Sequence, residues 1–227
     1  MSENEKKYVR EADRYVKDKW YKNFWYHYKI PAIVVVFLAV VAVVLIVQLY
    51  QKEEYDLYIV YVTEDPEVYT EKVKSLTNTI TQYVPDVNGD GEITVYIDNI
   101  YIGDTHDAPE VYKNKERIMT YMRSGTSMFF IGDNVGMDYL YAAEALVSLE
   151  DIADSNLAYG GCAWQLNGTT FEENATMYKL NRDTYFGLRV YEGTIAELSK
   201  NSAKKFETAK TTLINIINNN IINETGN

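Results

Sequence analysis

The sequence predicts an α/β protein: one N-terminal transmembrane helix, then a single α/β domain with a mainly parallel sheet and an added strand meander. Three observations carry this. Ile30 to Val47 is an unbroken apolar run. Between Tyr55 and Leu149, segments rich in β-formers alternate with segments of helical periodicity. After residue 150 the pattern changes to short apolar segments between Asn- and Gly-rich turns, closed by one more helical stripe.

The apolar run rises about 27 Å as a helix, close to a bilayer's hydrocarbon thickness. A core helix would carry polar residues on at least one face. A cleaved signal peptide has a shorter apolar region nearer the start of the chain. The run is therefore read as an uncleaved span over 30–50. Before it, eight Lys/Arg face five acids, which leaves 14 basic and 28 acidic residues for the rest of the chain. The positive-inside bias then makes the tail, 1–29, cytoplasmic and the acidic domain extracytoplasmic. Trp20, Tyr21, Phe24, Trp25, Tyr26 and Tyr28, interspersed with Lys, read as an interfacial aromatic belt. Tyr8, Ala12, Tyr15 and Lys19 share helical spacing, so the tail is expected to be a helix on or entering the membrane. A short polar linker, 51–54, holds the domain close to it.

The domain is expected over 55–223. Tyr55 to Thr63 is a strand of β-formers bounded by polar residues. Pro66 opens a helix capped by Thr63 or Asp65, with Tyr69, Val73, Leu76, Ile80 and Val84 on its apolar stripe. Ile93 to Ile102 alternates as a second strand. A second helix starts at Asp107, with Glu110 three residues on, faces Val111, Ile118 and Met122 inward, and stops at Gly125. Ser127 to Ile131 is a short buried strand, and Met137 to Leu149 a third helix. This alternation favours a parallel sheet with right-handed crossovers. Cys162 to Leu166, Thr176 to Leu180 and Tyr185 to Tyr191 are strand candidates for the meander. Thr194 and Glu197 form a capping box for a closing helix with Phe206, Ala209, Leu213, Ile216 and Ile217 inward. Residues 224–227 should fray.

The run RSGTSMFFIGDNVGMDYLYAAEALVSLEDIA, with the strands DLYIVYV and ITVYIDNIYI, resembles the first lobe of extracellular solute-binding proteins. The likeness extends from Asp56 to about Ile152. That family closes two lobes on its ligand, whereas this chain has length for one, and it lacks the family's lipid-bearing N-terminal cysteine. The closer likeness is to membrane-tethered, single-lobe proteins of Gram-positive bacteria. The resemblance implies a binding or accessory role.

Asp86-Val-Asn88-Gly-Asp90-Gly91-Glu92-Ile93 is the best chemical motif. Side-chain oxygens of Asp86, Asn88 and Asp90 can curl around one hard cation, and Glu92 offers its backbone carbonyl. Ile97 stands where an EF-hand places its bidentate Glu, so a complete EF-hand is excluded. The loop resembles the calcium loop of periplasmic galactose-binding proteins, which implies a distal carboxylate, Asp98 or a later acid. The competing reading is a turn that binds nothing. Gly132, Asp133 and Asn134 follow the third strand and would line a crevice at the carboxyl ends of the strands, or cap the next helix.

Catalytic candidates are few. Cys162 and His106 lack any local signature, and no P-loop, GxGxxG, HExxH, GxSxG or CxxC occurs. One cysteine excludes an intramolecular disulfide. The acidic domain argues against nucleic acid and anionic lipid as its partners. The expected function is a non-enzymatic, single-pass, membrane-anchored extracytoplasmic binding or accessory domain, calcium-stabilised. The alternatives are a surface hydrolase and a structural subunit of a membrane complex acting through its transmembrane helix.

Overall fold

A computed structural model of the chain describes residues 3–50, 55–65, 70–103, 108–175, 183–199 and 201–223. The linker, the start of the first domain helix, His106 with the Asp107 cap, the strand candidate at 176–180 and the last four residues lie outside them. The chain forms two compact units, Met1–Glu53 and Glu54–Asn227.

The first unit is one helix, α1 (Glu3–Tyr50), with Pro31 inside it. Within α1, Phe24–Ile46 is long and apolar enough to cross a membrane: 23 residues, whose most apolar part reaches a mean hydropathy of 3.0 with none of it buried. The window starts earlier than Ile30 because the helix runs unbroken through the aromatic belt. Trp20, Phe24 and Tyr28 stack at four-residue spacing, with ring centroids 5.8 and 5.2 Å apart.

The second unit is a mixed α/β domain built on a six-stranded sheet of order β2-β1-β3-β6-β5-β4. Its strands are β1 (Leu57–Thr63), β2 (Val95–Tyr101), β3 (Phe129–Gly132), β4 (Leu157–Ala158), β5 (Ala163–Gln165) and β6 (Tyr185–Leu188). β2, β1 and β3 are parallel, in a register that places Ile59 beside Ile97 and Phe129. β6, β5 and β4 continue the sheet by antiparallel pairing. Around them lie α2 (Thr70–Thr81), α3 (Ala108–Ser124), α4 (Asn134–Ala142), α5 (Thr170–Ala175) and α6 (Ser202–Ile217).

Side-chain alternation along the strands divides the core into two layers. Leu57, Ile59 and Tyr61 of β1 pack with Leu76 and Ile80 of α2, Phe171 of α5 and Leu213 of α6. Val60 and Val62 pack with Ile118 and Met122 of α3 and Met137 and Leu140 of α4. Helices therefore cover both faces, and β1, buried on both, reads as a nearly continuous apolar run. The helical stripes expected for α2, α3 and α6 face inward: Ile80, Ile118, Ala209 and Leu213 are all fully buried.

Two expectations shift, and two short elements are additional. The third helix ends at Ala142, short of Leu149. Glu144 turns left-handed, with φ 52°, and Leu146 bridges to Arg189 in antiparallel fashion, so sheet pairing overrides local helical pattern. β4 and α5 had no clear signal, being two and six residues long. The Thr194/Glu197 box is half formed. Glu197 accepts from the Gly193 amide at 2.9 Å, but the Thr194 hydroxyl donates to the Tyr191 carbonyl at 2.6 Å, and only a 3₁₀ turn, Ile195–Leu198, follows before α6.

Candidate functional site

The loop at Asp86–Glu92 is folded by its own polar groups. Asp86 Oδ1 accepts the Gly89 amide at 2.6 Å and Oδ2 the Gly91 amide at 3.0 Å. Asn88 Oδ1 accepts the Asp90 amide at 3.0 Å, and Asp90 Oδ1 the Glu92 amide at 2.8 Å. Gly89 and Gly91 have φ of 74° and 83°, where a side chain would strain the backbone. Asp56 holds the loop's base, accepting the amides of Val87 at 3.0 Å and Thr94 at 2.9 Å. Lys204 Nζ donates to the Val87 carbonyl at 3.0 Å. Asp86, Asn88, Asp90 and Glu92 are solvent-exposed. Among the described residues, no three His, Cys, Asp or Glu side chains converge as a metal-binding set. Each carboxylate oxygen that accepts one amide keeps a further lone pair for a cation.

Asp98, the named candidate for the distal ligand, is engaged elsewhere. It is 5% exposed on β2 and faces α3. Arg117 Nη2 lies 2.6 Å from its Oδ2, and the Tyr121 hydroxyl donates to the same oxygen at 2.6 Å. The Tyr58 hydroxyl is 3.0 Å from that of Tyr121. Burial, the bond to Tyr121 and the Asp98 charge all push the Tyr58 phenol up. Arg117 is held above its ordinary value chiefly by its bond to Tyr121. The rings of Tyr55, Tyr96 and Tyr58 pack beside this pair at 5.1 Å centroid spacing. Chemically this is an aromatic, hydrogen-bonding surface on the β2 edge. Sequence reasoning missed it, because its members come from three segments, at β1, β2 and α3, that only the tertiary fold joins. The signal in the sequence is the Tyr at 55, 58 and 96 with Asp98 two residues on.

At the carboxyl ends of β1 and β3, Gly132, Asp133 and Asn134 do come together with the end of β1. Asp133, 2% exposed, caps α4 by accepting the Gly136 amide at 2.9 Å through Oδ1. Its Oδ2 accepts the Thr63 hydroxyl at 2.7 Å and the Glu64 amide at 2.8 Å. Three donors satisfy the buried carboxylate in its role as a clamp. Gly136 permits this closeness, since a Cβ there would overlap the Val62 carbonyl oxygen. Gly132 packs against the backbone of Met137. The Asn134 carbonyl accepts the Tyr159 hydroxyl at 3.3 Å. Beside the clamp, the Tyr61 phenol is pushed up to about 12 by burial and by the Asp133 charge.

Cys162 is half-buried, and burial, with Glu150, pushes its thiol up, away from the thiolate a nucleophile needs. His106, its suggested base, lies outside the described residues. At the opposite end of the sheet from Asp133, Arg189 is 4% exposed and its Nη1 has no hydrogen-bond partner. No family model, curated protein or solved structure matches the chain significantly.

Proposed function

We propose that the chain is a single-pass membrane protein whose α/β domain works outside the membrane as a non-enzymatic binding or accessory module. The observation that carries this is the fully exposed apolar stretch Phe24–Ile46, preceded by a basic flank and joined to a separate compact domain. In water so large an unburied apolar surface is untenable, and a bilayer is its natural solvent. The likeness to the first lobe of solute-binding proteins belongs to the same proposal. The strand-end rule for open α/β sheets supports a ligand at the carboxyl ends of β1 and β3, around Gly132, Asp133 and Asn134, with Asp133 holding the rim. Calcium at Asp86, Asn88, Asp90 and the Glu92 carbonyl is its structural cofactor, fixing the connection from α2 to β2.

A second reading, a structural subunit that docks through its transmembrane helix, draws support from the stacked row Trp20, Phe24 and Tyr28, which presents a flat aromatic face.

Alkaline carbonate extraction of membranes tests the anchor. The full 26.2 kDa chain should stay in the pellet. A soluble product lacking the residues before about position 43 would replace the anchor with a cleaved signal sequence.

A further inference from the structure

Arg189 follows β6 directly and is pinned in place by backbone on two sides. Its amide donates to the Met128 carbonyl at 3.1 Å, and it bridges to Leu146. The Val190 amide donates to the Ala145 carbonyl at 2.8 Å and the Val147 amide to the Leu188 carbonyl at 2.9 Å. The residue cannot leave the interior by fraying. Phe186 and Leu188 belong to the layer of α2 and α6. Alternation along β6 therefore sends the Arg189 side chain toward the α3/α4 layer, whose members beside it are Ala145 and Leu146.

A guanidinium carries five N–H donors and stays charged in proteins, so leaving its buried Nη1 without a partner is costly for the fold. The ion pair recorded among the described residues is Arg117–Asp98, and Arg189 has no part in it. The chain carries 33 acidic residues, yet no described carboxylate reaches Arg189. Burial alone, with no neighbouring charge, pulls its pKa down to about 10. A cation meant for internal neutralisation in so acidic a chain would have a partner.

We propose that Arg189 is the anchoring cation of a buried oxyanion site, which takes the carboxylate or phosphate group of a small ligand. The planar fork matches two oxygens of either group. Apolar neighbours such as Ala145 and Leu146 lower the local dielectric and so strengthen the pairing, which leaves the ligand to bring the missing charge. The site lies at the opposite end of the sheet from Asp133, so it goes beyond the binding reading above and does not depend on membrane topology; its failure leaves both that reading and the anchor standing.

The test is thermal unfolding of the full chain in detergent micelles, titrated separately with inorganic phosphate and with acetate against sodium chloride at matched ionic strength. Wild type should melt at progressively higher temperature with one of the two anions, along a saturable curve. The responding anion identifies the group. Arg189→Met should lose the response, and Arg189→Lys, which keeps the charge without the fork, should bind at least tenfold more weakly. If Arg189→Met does not fold, the lysine variant decides alone. No saturable shift in wild type, or an equal shift in the variants, would overturn the proposal and leave a guanidinium solvated by buried water only.

Discussion

The Thr63 hydroxyl donates to Asp133 Oδ2 at 2.7 Å, tying the last residue of β1 to the cap of α4. Both residues are buried, and the same carboxylate also takes the amides of Glu64 and Gly136. Asp133→Ala strands three donors at once. With about 1–3 kcal/mol for each buried group left unsatisfied, partly relieved by water, the expected loss is about 3 kcal/mol in urea unfolding. A loss under about 0.5 kcal/mol would show that the clamp is not structural.

Gly136→Ala should be comparably severe. The added methyl meets the Val62 carbonyl oxygen, and neither backbone can retreat without opening the β1–α4 contact. Overpacking of this kind costs about 1–3 kcal/mol, read as a lower urea midpoint with unchanged m value.

Alkaline pH should destabilise the domain. Tyr61 has its pKa raised to about 12 from an ordinary value of 10.0. Its contribution is fully present below pH 10, where both folded and unfolded chains hold the proton. It is lost as pH rises toward 12, because the unfolded chain releases the proton first. The slope is about 1.4 kcal/mol per pH unit for one such group. Tyr61→Phe should flatten the stability profile above pH 10, and an unchanged slope would contradict the assignment.

How much of this was legible beforehand depends on the range of the forces involved. Ile80, Ile118 and Leu213 announced their burial through helical spacing, and the β1 run through β-formers, because local periodicity encodes which face is apolar. The loop Asp86–Glu92 was legible as a loop with Asx chemistry, but whether it turns around a cation or around its own amides is not written in spacing. Asp98, offered together with later acids as a distal ligand, pairs with Arg117, and that pairing depends on α3 lying across β2, which spacing does not show. Leu146 read as helical because nothing nearby reveals its bridge to Arg189. Arg189 itself, in Phe-Gly-Leu-Arg-Val-Tyr, reads as an outward-facing strand residue. Its burial comes from tertiary contacts that spacing does not show.

Calcium should raise the melting temperature of the full chain in micelles at millimolar concentration relative to chelator. The rise corresponds to about 2.7 kcal/mol at a hundredfold excess over the dissociation constant. Asp90→Ala should abolish it. Identical melting with calcium and chelator in wild type would reduce Asp86, Asn88, Asp90 and Glu92 to a self-bonded turn.

The proposed placement of the two units on opposite sides of a membrane is open to one direct labelling test. Cys162 is the sole cysteine, so a Cys162→Ser background makes introduced thiols unambiguous. Lys7→Cys and Asn88→Cys both fall at exposed positions, one in each unit. With a membrane-impermeant maleimide on intact cells, the thiol at 88 should label fully and the thiol at 7 only after lysis. Labelling of 7 without 88, or protection of both, would contradict a cytoplasmic tail and an extracytoplasmic domain.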